Sequence, residues 1–179
     1  MPTRKARKPV FSALTDDECR AVLDRNHVGR LAFLNHGVVD IEPVHYIAAD
    51  SWIFVRSAEG TKLHAFAHNP YVAFEVDEID ATFDWRSVVA HGTIYVMSEH
   101  GDSAEREDFE LALDALRSFI PETLTEGDPT PFRNTIYGLH VDRVAGRMAE
   151  QRRRLPKRPA RRLDAAPSPP PRPENPDGF

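Results

Sequence analysis

The chain has 179 residues, 41% of them hydrophobic, with a formal net charge of −5. That length supports one globular domain with a real core, and the single cysteine, Cys19, excludes an internal disulfide framework and fits a reducing compartment. No apolar run approaches the ~20 residues that cross a bilayer, and the basic N-terminus lacks the apolar stretch of a secretory signal, so a cytoplasmic protein without membrane contact is expected.

Charge is unevenly placed. Residues 1–8 carry four cations and no acid, residues 151–179 carry eight Lys and Arg against three acids, and residues 9–150 carry eleven against 25. An acidic body with basic ends argues against a nucleic-acid-binding fold, which needs its basic face on the folded part. The expected organisation is a disordered basic N-terminus over 1–9, a folded domain over 10–150, and an Arg/Pro-rich disordered tail over 151–179.

Thr15-Asp-Asp-Glu18 is a capping box, and acids in the first turn suit the positive end of a helix dipole. The helix carries Cys19, Val22 and Leu23 as one apolar stripe and stops near Asn26. Val28–Leu34 reads as a strand, Asn35-His-Gly37 as a hairpin turn, and Val38–Ile47 as the returning strand. A tight turn at Ala49-Asp50-Ser51 leads to a third strand, Trp52–Ser57. A Gly-containing turn then opens a short helix, Thr61–His68.

Tyr71–Asp77 alternates as a strand, residues 78–84 read as an acidic turn, and Trp85–Ser98 is a long strand with Gly92 inside it. A glycine there signals a bulge, a bend or a close approach. Asp102 or Ser103 starts the best helix, with Phe109, Leu111, Leu113, Leu116, Phe119 and Ile120 as its apolar side and Pro121 as its stop. A polar loop over 122–133 precedes the last strand, Thr135–Val144. Six strands joined mostly by hairpins, with two or three helices, predict a mainly β fold. The pattern suits a closed or half-closed antiparallel barrel with peripheral helices, because strands and helices do not alternate as parallel crossovers require.

The chemistry concentrates where the third strand meets the short helix. A helix N-terminus offers unpaired N–H groups, and Arg56, Ser57, Thr61 and Lys62 crowd that corner with charge and hydroxyls. Phosphate is the anion such a corner suits; a capped helix with two solvated cations is the plainer alternative. Flanking strands bear His45, Tyr46, Trp85, Arg86 and Ser87, which suit a flat phosphorylated ring system. Other chemistries find little support. Only His64 and His68 stand at i, i+4, with no Glu after His64, so no metal site is expected. Neither Gly-x-Ser-x-Gly nor a dinucleotide fingerprint occurs.

Five segments stand in one order: Gly29-Arg-Leu-Ala, Pro43-Val-His-Tyr, Ser57-Ala-Glu-Gly-Thr-Lys62, Asn69-Pro-Tyr-Val-Ala-Phe-Glu-Val-Asp77 and Trp85-Arg-Ser-Val-Val-Ala-His-Gly92. In this the sequence over roughly 12–145 resembles the pyridoxamine 5′-phosphate oxidase-like flavoproteins, and most of all the branch that contains nitroimidazole-resistance proteins. The resemblance implies a six-stranded antiparallel split β-barrel that binds FMN at the interface of a homodimer. It implies that Arg56, Ser57, Thr61 and Lys62 hold the FMN phosphate. Pro43, Val44, His45 and Tyr46 would line the isoalloxazine, and Trp85, Arg86 and Ser87 would approach it from a neighbouring strand or the other subunit.

The implied activity is a two-electron oxidoreductase for a small molecule, aromatic ones included, that stacks near His45. Relatives of this barrel that bind the deazaflavin F420 or haem supply alternative cofactors, and a non-catalytic flavin-binding module is the alternative to an enzyme. Thr61 stands where the vitamin-making oxidases carry an arginine, so one phosphate cation is missing or Arg56 replaces it. Alternation puts Arg56 and Ser57 on opposite faces of a regular strand, so both reach one phosphate only if the strand ends there. The Arg/Pro tail lies where the true oxidases bind pyridoxal substrate, which argues against that substrate.

Overall fold

The computed structural model describes residues 8–58 and 61–151, with only the backbone of Thr61. The expectations for the N-terminal arm up to residue 7, the turn at 59–60 and the tail from 152 lie outside the described residues.

The elements run β1 (Val10–Leu14), α1 (Asp16–Arg25), β2 (Val28–Asn35), β3 (Val38–Ala49), β4 (Trp52–Ser57), α2 (Thr61–His68), β5 (Tyr71–Ala81), β6 (Asp84–Val96), α3 (Ser103–Phe119) and β7 (Thr135–Glu150). Helix α1 begins at the predicted box: Glu18 N–H donates to Thr15 Oγ1 at 3.3 Å, and Thr15 N–H donates to Glu18 Oε2 at 2.8 Å. Two otherwise unpaired helix donors are thereby satisfied. At the other end Asn26 Nδ2 donates to Val22 O and to Glu78 Oε1, each at 2.8 Å, while Arg25 forks onto the Glu78 carboxylate. The β2–β3 hairpin turns through His36 at φ 48° and Gly37 at φ 83°, a left-handed pair that a glycine makes cheap.

All strand pairs are antiparallel, in the order β1-β7-β4-β3-β2-β5-β6, and β6 returns to β7. Strands β2 to β7 therefore close into a six-stranded barrel, which pairs most of the edges that an open sheet would leave. Strand β7 makes the closure possible through its length of 16 residues. One edge pairs with β6 throughout; the other holds β4 along its first half and β1 along its second. The predicted irregularity at Gly92 is a register shift between His91 and Gly92, and a Cβ at Gly92 would meet His140 O at 1.9 Å. Only glycine admits that approach.

Inside the barrel lie Leu31, Phe33, Val44, Tyr46, Ile53, Val55, Phe74, Val76, Val88, Ala90 and Leu139, and α1 adds Cys19, Val22 and Leu23. Each large side chain buried here contributes about 2 kcal/mol. Helix α2 plugs one mouth: the Phe66 ring meets Phe33 and Tyr137 edge-on at 5.4 and 5.2 Å. Helix α3 forms a second cluster outside the barrel, with Phe109, Ala112, Leu113 and Leu116 against Ile47, Phe54, Met97 and Ile136.

Beyond shifts of a residue or two at strand ends, one strand, two strand extents and one helix face differ from expectation. Strand β1 was not predicted, because four of its five residues are exposed and only pairing with β7 fixes it. Glu78–Ala81 is strand rather than acidic turn, held by β6 and by the Arg25 and Asn26 bonds to Glu78. Strand β7 runs six residues past Val144, with β6 on one edge and β1 on the other. On α3, Leu111 and Phe119 face solvent, and Ala112 takes the buried position instead.

Candidate functional site

The corner predicted to carry the chemistry lies where two neighbouring strands part. Strands β3 and β4 pair only over Tyr46–Ala49 and Trp52–Val55. Past Val55, Arg56 and Ser57 stay paired with Ile136 and Thr135 of β7. Among the described residues no strand pairs with the β4-side edge of Val38–His45, so β3 keeps free backbone groups beside the opening. Helix α2 starts at the mouth of this split. Its Lys62 spans the gap: Nζ lies 3.1 Å from Ser57 Oγ on β4 and 2.5 Å from Glu42 Oε2 on β3. The lysine side chain is 19% exposed and that of Glu42 41%, so the pair sits at the rim.

Arg56 does not join this corner, which corrects its predicted role. Strand β4 remains regular through Ser57, so alternation turns Arg56 to the α3 side, the same side as Phe54. There it is 8% exposed and fully engaged. Its Nη2 lies 2.5 Å from Asp128 Oδ2, and its Nε and Nη2 donate to Arg133 O at 3.0 and 2.7 Å. Asp128 in turn accepts from Leu124 N and Thr130 N, both at 2.8 Å. The Arg56 guanidinium, helped by those two N–H groups, holds the Asp128 carboxyl down to about 2. Arg56 is thus the peg around which the loop between α3 and β7 is wound.

The remaining predicted residues divide by face. Val44 and Tyr46 point into the barrel; Tyr46 is 1% exposed and its hydroxyl donates to Leu23 O at 2.7 Å. Burial pushes that phenol above its usual range, so it stays protonated as a donor. Neither side chain can line a ring on the surface, and only their backbone remains available. Pro43 and His45 face outward and are exposed, opposite Arg30 and Val28. Thr61 heads α2, with its side chain outside the described residues.

Trp85, Arg86 and Ser87 are half-buried on β6, three strands across the sheet from β3. On β7, Ser57 is matched to Thr135 and Trp85 to Ala149, fourteen residues apart. Across the sheet the path is shorter: Glu42 is matched to Leu31, Leu31 to Phe74 and Phe74 to Ala90, three residues from Ser87. Trp85 packs against Phe11 of β1, and Ser87 Oγ donates to Glu75 Oε1 at 3.0 Å.

Pro43, His45 and Ser87 share the outer face of the sheet β3-β2-β5-β6. Its centre is polar, with Arg30 bonded to Glu75 at 3.3 Å and to Asp77 at 2.8 Å. Around it, Leu34, Val39, Ile41 and Tyr71 form an apolar area in which Ile41 is 65% and Tyr71 71% exposed. Glu42, which sequence reasoning missed, is the carboxylate that meets Lys62. No spacing signal marks it; only the β3 register brings it to the split.

Three clefts of about 360 to 370 Å3 open elsewhere, and none of the three includes Ser57 or Lys62. Among the described residues, no group of three or more His, Cys, Asp or Glu is placed to hold a metal ion, and no helix is long and apolar enough to cross a membrane.

Comparison with known proteins adds the following. The sequence profile of the pyridoxamine 5′-phosphate oxidase family matches residues 15–148. No curated protein matches the chain. Among solved structures, a FAD-binding protein from Mesorhizobium loti is similar at 25% identity and a TM-score of 0.62, over 79% of this chain and 99% of that one. The FAD-binding protein of Mycobacterium smegmatis shares the fold at 24% identity and a TM-score of 0.55, over 76% and 99%. A protein from Bacteroides thetaiotaomicron assigned to 5-nitroimidazole antibiotic resistance shares it at 14% identity and a TM-score of 0.57, over 80% and 90%.

Proposed function

The chain belongs to the pyridoxamine 5′-phosphate oxidase family, and from that membership we propose that it is a flavin-dependent oxidoreductase acting as a homodimer on a small molecule. The observation that carries this reading is the Lys62–Ser57 pair at the mouth of the split between β3 and β4. A lysine and a hydroxyl beside a helix start are a phosphate cradle, and the free β3 edge beside them offers N–H and C=O groups to a ring.

A bound flavin supplies two-electron transfer; the protein binds and orients it. Lys62 and Ser57 hold the phosphate. The backbone of Glu42 to His45, unpaired on the β4 side, would offer hydrogen bonds to the ring. His45, exposed on the outer face, presents its imidazole to a substrate stacked on the open side of the ring.

Two features support the dimer. The apolar outer face around Leu34, Val39, Ile41 and Tyr71 is the kind of surface that a second copy covers. The predicted residues Pro43, His45 and Ser87 lie on that same outer face, so a second copy docked there adjoins the cofactor site. The lone, buried Cys19 suits the reducing cytoplasm.

FMN is the cofactor implied by the sequence resemblance. The 25%-identical FAD-binding protein of Mesorhizobium loti favours FAD as a second reading, and both cofactors share the riboflavin 5′-phosphate unit that the corner would hold. The test is the visible spectrum of the protein as purified and after addition of FMN, FAD or F420, with the molar mass from light scattering. Flavin bands on a dimer support the proposal. A colourless protein that takes up no flavin removes it. Turnover with reductants and a panel of acceptors separates an enzyme from a binding module.

A further inference from the structure

One of the three clefts has a chemical character of its own. It opens where the end of β6 and the starts of β4 and α3 meet, and it encloses about 370 Å3. Trp52, at its wall, begins β4, whereas Ser57 of the flavin corner ends that strand. Three rings line the cleft: Trp52, Tyr95 and His140. Trp52 is matched to His140 across β4 and β7. Gly138, two residues back on β7 and matched to Tyr95 of β6, has no side chain to part the indole from Tyr95. The indole thus meets Tyr95 at 5.8 Å and 65°, and His140 at 5.1 Å and 78°, centroid to centroid. The rings stand as walls at steep angles to one another, not as one flat stack.

The fixed charges around these rings have one sign. The lining includes Glu105 and Asp108 of α3 and neither lysine nor arginine. Glu105 Oε2 accepts from Asp102 N–H at 2.9 Å as part of the helix cap. His140 Nδ1 lies 3.2 Å from Asp142 Oδ1, which offsets any charge on that ring. The Asp108 carboxylate, the Tyr95 hydroxyl and the Trp52 indole N–H have no hydrogen-bond or ion-pair partner among the described residues. An apolar cleft with a few unspent polar groups is the ordinary form of a small-molecule site.

We propose that this cleft binds a small quaternary ammonium compound. The faces of Trp and Tyr attract a cation through the ring quadrupole, and a nearby carboxylate adds a Coulomb pull. The partners present decide between kinds of ammonium. A primary ammonium brings three N–H donors that need acceptors once it leaves water, and Asp108 is the one lining carboxylate without a partner. A quaternary head has no N–H to satisfy, and its methyl groups pack against rings while the charge is felt by them. The site is separate from the flavin corner, and the inference does not rest on that reading.

The test is calorimetric titration of the full-length protein at low salt with three probes. They are choline, the neutral alcohol in which carbon replaces its nitrogen, and ethanolamine, its primary-amine counterpart. Choline is expected to bind saturably and about tenfold more tightly than either analogue. Tyr95→Leu keeps an apolar side chain but removes the ring, and should weaken choline about fivefold. Asp108→Asn should weaken it about threefold and flatten its salt dependence. Tyr95 is 50% exposed and Asp108 is exposed, so both variants should fold, which melting curves check. If either does not fold, the comparison of choline with its two analogues on wild type decides alone. No saturable binding of choline, or binding no tighter than that of either analogue, overturns the proposal. So does choline affinity unchanged in either folded variant.

Discussion

Arg56 and Lys62 stand six residues apart, and both are cations beside the same strand end, yet their surroundings differ completely. Arg56 is buried and saturated by Asp128 and Arg133 O. Lys62 sits at a rim between Ser57 and a half-exposed Glu42. The first cation ties a loop to the barrel. The second has a carboxylate partner that is itself 41% exposed. What separates them is strand parity: β4 stays paired with β7 through Ser57, and that regularity sends Arg56 to the far face.

The largest expected effect tests the structural half of this contrast. Arg56→Ala leaves the Asp128 carboxylate buried without its partner, and removing one member of a buried pair costs about 3–5 kcal/mol. Chemical denaturation should show that loss, with flavin affinity of the folded fraction unchanged. If stability holds and flavin binding falls instead, Arg56 belongs to the ligand site after all.

Acid provides a second test of the same pair. Asp128 has a folded-state pKa of about 2, below the ordinary carboxylate value of roughly 3.9. A depressed carboxyl contributes stability that is fully present above about pH 4 and is lost as pH falls through 2. Melting curves across that window should show the loss in wild type and a flatter response in Asp128→Asn. Equal slopes in the two proteins would mean that the pair is not coupled to folding.

The smallest effect on stability belongs to Lys62. Its bond to Glu42 is a rim ion pair, and such pairs contribute about 0–1 kcal/mol. Lys62→Ala should therefore melt close to wild type. A loss as large as that of Arg56→Ala would erase the distinction between the two cations.

Much of the fold was legible because its signals are local. Thr15 and Glu18 announce a helix start within four residues, Gly37 marks a hairpin, and Gly92 marks an irregularity in a strand. The elements that escaped depend on distant partners. Strand β1 exists through β7, and Glu78 is held in strand by Arg25 and Asn26, more than fifty residues away. The site followed the same rule. Ser57 and Lys62, five residues apart, were found together as spacing implied. The fate of Arg56 was decided by Asp128, 72 residues on, and that of Tyr46 by Leu23 O inside the barrel. Glu42 came to Lys62 only through the register of β3.

In the proposed flavin site, Lys62 and Ser57 grip the phosphate. Titrating FMN and riboflavin into wild type and Lys62→Ala tests it most directly, because the two ligands differ only in that phosphate. FMN affinity is expected to fall about tenfold in the variant, as losing a charge-assisted contact implies, while riboflavin affinity stays unchanged. Equal affinities for FMN in the two proteins would contradict it.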